Sequence, residues 1–545
     1  MQKILNGKNS VHGATGLLVV TLLASNILGL IRDRLLAAKI PASQLDVYYA
    51  AFRLPDLLTN LIVVGAIAVI FIPVFTELKN KDEQRAWLAA NAILNAMVGI
   101  LALGSLLLWI LMPRLMPLVV PNFSAADLTQ TITLARWLSL TPVLFGISYV
   151  LSGILNSFHR FVVYSLAPLF YNGSIILTTA IFADHYAIDT RVFVVALGVI
   201  IGAALHMAIQ LPVAAALGWH WRPLFSIGDP AVKKVGKLMG PRIIGLLGLQ
   251  LVTVVATALG SAWSGAITYY SLANNIQTMP SAVFANSIAT ALFPTIAQAA
   301  ADRQTEAFKQ HIMQGIRWIL FLLIPASVGL IMLRIQVVRL ILGAGFFGWE
   351  STQTTADVLG WFAISIVAAG LVPLLARAFY ARQNTTTPMV ISLVASVVTI
   401  SLSFGLASWL PQTIELGNGY SLHIGEVAAL AIAFSVGMIV NASLLLAALQ
   451  RTVNLPLRSL LPSLGKVTIA TVVMAVAVQL VKVFIGSRLN LDYASSVLIQ
   501  TAAGLLTGTV VYILVVAFLR SSEWHELKKF LPRKSLSSAT STTLG

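Results

Sequence analysis

The chain has 545 residues, 58% of them hydrophobic and only 10% charged, with a mean hydropathy of +0.88 and a formal net charge of +16. Soluble domains carry about 25% charged residues, so this composition excludes an ordinary globular enzyme and describes a polytopic membrane protein. The absence of cysteine removes disulfide frameworks, thiolate metal sites and cysteine nucleophiles together, and the basic residues lie between hydrophobic runs, not in the stripe that a nucleic-acid partner needs.

Residues 1–13 are polar, with Lys3 and Lys8, and the apolar run from Ala14 to Ile31 is longer than a signal-peptide core, which predicts a retained first span. At about 20 apolar residues per crossing, the chain divides into about fourteen spans. These lie at 14–37, 47–77, 88–112, 131–156, 162–184, 191–217, 236–261, 267–299, 312–334, 354–381, 388–410, 424–449, 459–485 and 493–519. The expected fold class is therefore all-α and polytopic. With both termini cytoplasmic, about 20 basic residues lie inside and about 7 outside, the asymmetry that the positive-inside rule requires.

The chain also repeats itself. GAIAVIFIPVFTEL, ending span 2, resembles NSIATALFPTIAQA, ending span 8, and sets Pro73 against Pro294, 221 residues on. Arg160 falls against Arg382, Pro168 against Pro388, and Tyr48-Tyr49 against Tyr269-Tyr270 at nearly the same offset. Six spans separate each pair, so the halves share one orientation about an axis along the membrane normal. The expected organisation is an N-lobe of spans 1–6 (1–225), a C-lobe of spans 7–12 (226–450), spans 13 and 14 without repeat partners (451–520), and a cytoplasmic tail (521–545).

No catalytic constellation is apparent. Of eight histidines only His206 lies mid-span, no metal-ligand spacing occurs, and no Walker-type GxxxxGK[ST] is present, which leaves transport without ATP hydrolysis. No cofactor is expected; ion or membrane-potential coupling is open, with no site to assign.

Between Ser25 and Leu78 the apolar sequence contains Arg32, Asp33, Asp46, Arg53 and Asp56. An ionisable group inside a span costs at least about 3 kcal/mol unless it faces a partner or a wet cavity. Arg32 has two readings: the snorkelling end of span 1, paired with Asp33 and Asp46, or a guanidinium in a cavity between the lobes, its forked donors matched to phosphate oxygens. Adjacent on a helix, Arg32 and Asp33 lie about 100° apart, which predicts that they do not face one direction. Arg53 precedes Pro55, whose missing N–H predicts a kink opening toward water, and Asp56 on the same face is a candidate intrahelical partner. Span 8 repeats the device at Pro280, flanked by Asn274, Asn275, Gln277 and Thr278. Pro55 and Pro280 are the expected hinges. A basic cavity with few deep acids points to an anionic substrate.

SNILGLIRD at Ser25, DVYYAAFRLPDLL at Asp46 and FIPVF at Phe71, with GILNSFHRF at Gly153, APLFYN at Ala167, MGPR at Met239, SIATALFP at Ser287, FYARQNTTTP at Phe379 and NASLLLAAL at Asn441, carry a family resemblance over essentially the whole chain. The sequence resembles the lipid II flippases of the MurJ (MviN) family, within the multidrug/oligosaccharidyl-lipid/polysaccharide exporter superfamily. The resemblance implies a transporter, not an enzyme, that moves the undecaprenyl-diphosphate-linked peptidoglycan precursor from the inner to the outer leaflet of the bacterial cytoplasmic membrane. It further implies two six-helix lobes around a cationic cavity and a lipid-tail groove at spans 13 and 14. Arg32 matches the family's span 1 arginine, Asp46 the acid opening span 2, and Arg53 the basic residue before Leu-Pro. Family basic positions fall here on Asn26, Thr59 and Asn275, which thins the cavity charge and gives Arg53 and Arg242 of MGPR more weight. Ser and Thr replace the polar residues of a sodium site in span 11, so sodium coupling is not supported. The implied partners are lipid II or a related polyprenyl-diphosphate glycolipid, membrane lipids and cell-wall synthesis enzymes. Rival readings are a flippase for another polyprenyl-linked glycan, a cation-coupled drug exporter, which requires an essential intramembrane carboxylate, and a non-transporting scaffold for cell-wall enzymes.

Overall fold

The computed structural model describes residues 11–64, 71–223, 228–409, 414–415, 421–422, 426–488 and 494–530. Where the chain runs through hydrocarbon no water satisfies its backbone, so each apolar run closes its own hydrogen bonds as a helix. In the first half these are α1 (Val11–Lys39), α2 (Ala42–Thr59), α3 (Ile72–Lys81), α4 (Glu83–Val119), α5 (Ala125–Leu138), α6 (Thr141–Ser157), α7 (Phe161–Phe182), α8 (Arg191–Ala208) and α9 (Leu211–Ala216). In the second they are α10 (Pro230–Gly260), α11 (Ala266–Pro280), α12 (Asn286–Ala301), α13 (Thr305–Met332), α14 (Arg334–Leu342), α15 (Trp349–Ala363), α16 (Ile366–Ala381), α17 (Thr386–Trp409) and α18 (Glu426–Val453). α19 (Leu461–Gly486), α20 (Ala494–Phe518) and the short α21 (Ser522–Phe530) follow. β1 (Ile414–Glu415) and β2 (Ser421–Leu422) form a two-residue antiparallel ladder before α18.

Among the described residues, eleven helices are long and apolar enough to cross a membrane, or twelve with α15 and α16, bent by 44°, taken as one span. These coincide with predicted spans 3–14. The expected fourteen is not reached: span 1 begins beside residues 1–10 and span 2 is interrupted at 65–70, both outside the described residues.

Both interruptions of the repeat share one geometry. After α2 the chain widens into a π-helical turn at Asn60–Val64, and after α11 into another at Ser281–Ala285. The two turns begin 221 residues apart, the spacing that separates Pro73 from Pro294. A π turn accommodates a residue that cannot join the regular ladder. Pro280 stands directly before its turn, whereas Pro55 lies five residues before the other. By the repeat spacing, the counterpart of Pro280 is Thr59, whose hydroxyl donates to the Pro55 carbonyl at 3.0 Å.

Without a hydrophobic drive between helices in lipid, packing depends on close approach at small residues. α7 lies on α8 this way: a Cβ added at Gly198 would sit 2.0 Å from the Thr178 hydroxyl. One buried cluster in the first half centres on Phe71, Phe75 and Leu151, and a second in the following half on Ile319, Leu374 and Phe379. α19 and α20 pack on each other and against α13, burying Phe321, Met474 and Val478.

Candidate substrate site between the two halves

A cavity of about 270 Å³ lies where α1, α2 and α7 face α10 and α11. Arg32 and Asp33 enter it from α1, Arg53 and Asp56 from α2, and Ser271, Asn274 and Asn275 from α11. Tyr48, Tyr49 and Tyr171 complete the wall on the α1 side.

Arg32 is clamped. Its Nε and Nη2 donate to Asp33 Oδ1 at 3.0 and 2.8 Å, and its Nη1 to Asn172 Oδ1 at 3.0 Å. The other oxygen of Asp33 accepts from Asn275 Nδ2 at 3.0 Å, so one chain of bonds links α7, α1 and α11. The expectation that Arg32 and Asp33 diverge is corrected here: the long arginine stem curls along the helix and returns its head to its neighbour. The Asp33 side chain is only 4% exposed, and losing the arginine would leave a buried carboxylate without its counter-ion.

Arg53 is held differently. Its Nε donates to the Thr257 hydroxyl at 2.7 Å and its Nη2 to the Ser271 hydroxyl at 3.1 Å, both on the other half of the chain. No ion pair joins Arg53 to Asp56 among the described residues, so the intrahelical pairing offered by their spacing is not formed. Two arginines and two aspartates line the cavity, which is therefore charge-balanced where the sequence suggested a basic one. Arg53 is the cation whose close partners are neutral and readily displaced.

Asp46 lies outside this cavity. Its carboxylate accepts from the backbone N–H of Gly265 at 2.5 Å, and from the N–H and hydroxyl of Thr268 at 2.8 and 2.7 Å. It thus satisfies the orphan donors that open α11, and pairs with neither arginine. Nearby, Arg34 donates to the carbonyls of Leu340 and Ile341 at 2.6 and 3.2 Å, and Phe346 N–H donates to Ala38 O at 3.1 Å. Gly345, with φ +54°, lets that loop lie flat on α1: a Cβ there would meet Ala38 O at 2.0 Å. The bundle is closed at this end by contacts between its halves.

The remaining expected site residues are scattered. Asn275 lies in the cavity. Asn26 sits nearer the start of α1, outside the cavity wall, its Nδ2 buried without a hydrogen-bond partner among the described residues. Thr59 turns its hydroxyl into its own helix. Arg242 belongs to α10, but its side chain lies outside the described residues. Pro55 and Pro280 stand before the two π turns. Sequence reasoning missed Asn172, Thr257 and Ser271; their signal was a polar residue in an apolar span, without which an arginine head could not be anchored. Among the described residues no group of three or more His, Asp or Glu is placed to hold a metal ion. A second, apolar cavity of about 430 Å³ lies between α13, α19 and α20, with Pro280, Phe284, Gly504, Gly508 and Tyr512 on its wall.

Repeated helical halves, closed together at one end around a charged cavity, define a membrane transporter of the two-lobed exporter type. The fold agrees with a solved "Lipid II flippase MurJ, inward closed conformation", at a TM-score of 0.74 and 22% identity, covering 92% of this chain and 99% of that one. It agrees less closely with an inward-facing multidrug resistance MATE family transporter of the MOP superfamily, at 0.63 and 13% identity over 80% and 98% of the two chains. A family model described as "Lipid II flippase MurJ" matches residues 41–500. A "Probable lipid II flippase MurJ" of Bdellovibrio bacteriovorus is 30% identical over 393 residues, 70% of this chain and 74% of that protein. One of Rhizobium meliloti is 27% identical over 527 residues, 93% and 92% of the two. The chain belongs to the lipid II flippase MurJ family.

Proposed function

We propose that this multi-pass protein flips lipid II, the undecaprenyl-diphosphate-linked peptidoglycan precursor, from the cytoplasmic to the outer leaflet of a bacterial cytoplasmic membrane. Both termini lie in the cytoplasm on this reading, as the loop charges suggest, which puts the Asp46 closure on the outer side. The N-lobe and C-lobe rock about the π turns beside Pro55 and Pro280, giving alternating access to the cavity.

The observation that carries the reading is the holding of Arg53 by two neutral hydroxyls, from Thr257 and Ser271. A diphosphate offers charge-assisted bonds of about 1.5–3 kcal/mol each, stronger than those hydroxyl contacts, and so takes the guanidinium from them. Arg32 engages the same diphosphate only as Asp33 gives way. Arg53 is the first contact and Arg32 the second; the first exchange releases bonds between the lobes, the second a bond within the N-lobe. The polyprenyl tail stays in lipid along the apolar cavity of α19 and α20. An ion gradient or the membrane potential resets the cycle, and cell-wall synthesis enzymes receive the product outside.

In a strain depleted of its own flippase, the wild-type chain is expected to restore growth and the exposure of lipid II at the cell surface, and Arg53→Gln to restore neither. Equal rescue by Arg53→Gln would remove the proposed role.

A further inference from the structure

A separate polar cavity of about 370 Å³ lies at the opposite end of the bundle from Asp46, between the first turns of α13 and the terminal helix α21. Its wall includes Glu306, Lys309 and Arg317 of α13, with Trp318, and Glu523 and Glu526 of α21. Ser463 of α19 donates its hydroxyl to Glu523 Oε1 at 2.6 Å, which fixes the carboxylate. Glu523 is only 2% exposed, yet among the described residues its Oε2 has no hydrogen-bond partner. Arg317 Nε is also buried and unpartnered among the described residues, while Nη2 reaches the Ser459 hydroxyl only at 3.5 Å. No ion pair joins Arg317 to Glu523 among the described residues, whereas Lys309 is paired with Glu306 at 2.7 Å.

A buried polar atom left without a partner costs about 1–3 kcal/mol, and more for a charged group. Two side chains of opposite charge, each holding such an atom just behind the surface, therefore line one cavity. A simple anion would satisfy Arg317 but meet three glutamates, and a simple cation would satisfy Glu523 but leave Arg317 bare. A group bearing both a phosphate and a primary ammonium satisfies both, and the volume, roughly that of a dozen waters at about 30 Å³ each, admits it. The surroundings fit a lipid as its source. α20 ends at Phe518, just before α21, so the cavity lies at the level of the membrane surface, with Trp318 on its wall as interfacial tryptophans commonly are. One turn along α13, Phe321 and Leu322 begin the apolar cavity between α13 and α20.

We propose that this cavity binds the phosphoethanolamine head of an aminophospholipid, its ammonium on Glu523 and its phosphate on Arg317, and so locks α21 onto α13 and α19. This inference does not depend on which lipid is flipped. The test is native mass spectrometry of the full chain from micelles holding equimolar phosphatidylethanolamine, phosphatidylcholine and phosphatidylglycerol with identical acyl chains. Phosphatidylethanolamine is expected to be retained at least about five-fold over the other two, since methylation removes the ammonium donors and glycerol lacks the charge. Glu523→Gln, which keeps the bond from Ser463, is expected to abolish the preference with an unchanged melting temperature in lipid-free detergent. If that variant does not fold, Glu526→Gln is expected to reduce the preference about two-fold. Equal retention of the three lipids by the wild type, or an undiminished preference in the variants, overturns the proposal. Displacement of bound phosphatidylethanolamine by millimolar soluble phosphoethanolamine supports the site. Binding of the soluble compound with no preference among the lipids overturns the lipid as its source.

Discussion

Asp46 accepts hydrogen bonds from the backbone N–H and the hydroxyl of Thr268, at 2.8 and 2.7 Å, and Thr268 stands 222 residues further on, next to Ile267, the counterpart of Asp46 at the repeat spacing of 221. A residue that touches the neighbour of its own counterpart lies close to the axis relating the halves, where a small rotation separates the pair. Removing the carboxylate as Asp46→Ala strips α11 of its cap, a loss of about 1 kcal/mol borne by the closed state alone, and so favours opening about five-fold. The cysteine-free chain makes this directly measurable: a single Thr253→Cys on the cavity wall should react about five-fold faster with an impermeant thiol reagent in the Asp46→Ala background. An unchanged rate would mean that Asp46 does not hold the closure.

Gly345→Ala should act on the same closure more severely. The added Cβ would lie 2.0 Å from the backbone oxygen of Ala38 at a positive φ, and neither constraint is relieved by a side-chain rotation. The same labelling assay should show a rate above that of Asp46→Ala. Gly348→Ala, where nothing lies within 4 Å, should leave the rate unchanged.

Arg32 should separate charge from geometry. Arg32→Lys keeps the charge but loses the fork that spans Asp33 and Asn172, so it should fold with a melting temperature near that of the wild type while turnover falls at least about ten-fold. Arg32→Ala leaves Asp33 buried without its counter-ion and should in addition lose about 3–5 kcal/mol of stability. Thermal unfolding beside a surface-exposure assay for lipid II distinguishes the two losses.

Thr59→Val should matter little. The hydroxyl of Thr59 goes only to the Pro55 carbonyl of its own helix, and such a bond contributes about 1 kcal/mol or less. Full growth rescue by this variant is expected; loss of rescue with normal folding would restore Thr59 to the substrate path.

The segments that make this fold were legible because hydropathy dictates them: lipid allows few alternatives to a helix, and spans 3–14 fall where the apolar runs lie. The repeat was legible through Pro73 and Pro294, and the π turns at Asn60 and Ser281 follow its spacing although no local rule predicts them. Arg32, Arg53 and Asn275 were visible as polar groups in an apolar setting, and they do meet in one cavity. What they bond to was not visible. Partner choice depends on side-chain reach and on the approach of helices distant in sequence: Asp46 found the start of α11, Arg32 turned back onto Asp33, and Arg53 chose Thr257 and Ser271 over Asp56. The charge balance of the cavity is illegible for the same reason: spacing alone offers Asp33 and Asp56 as partners of the nearby arginines, not as walls of a cavity.

The central claim is that this chain flips lipid II through contacts at Arg53 and Arg32. Its most direct test is reconstitution of the purified chain into liposomes carrying lipid II, with translocation read as protection of the head group from an impermeant modifying reagent. The wild type should translocate lipid II well above protein-free liposomes, and Arg53→Gln, inserted to the same level and equally folded, should fall at least about ten-fold toward that background. Translocation by Arg53→Gln at the wild-type rate, or none by the wild type under any imposed potential or ion gradient, would contradict it.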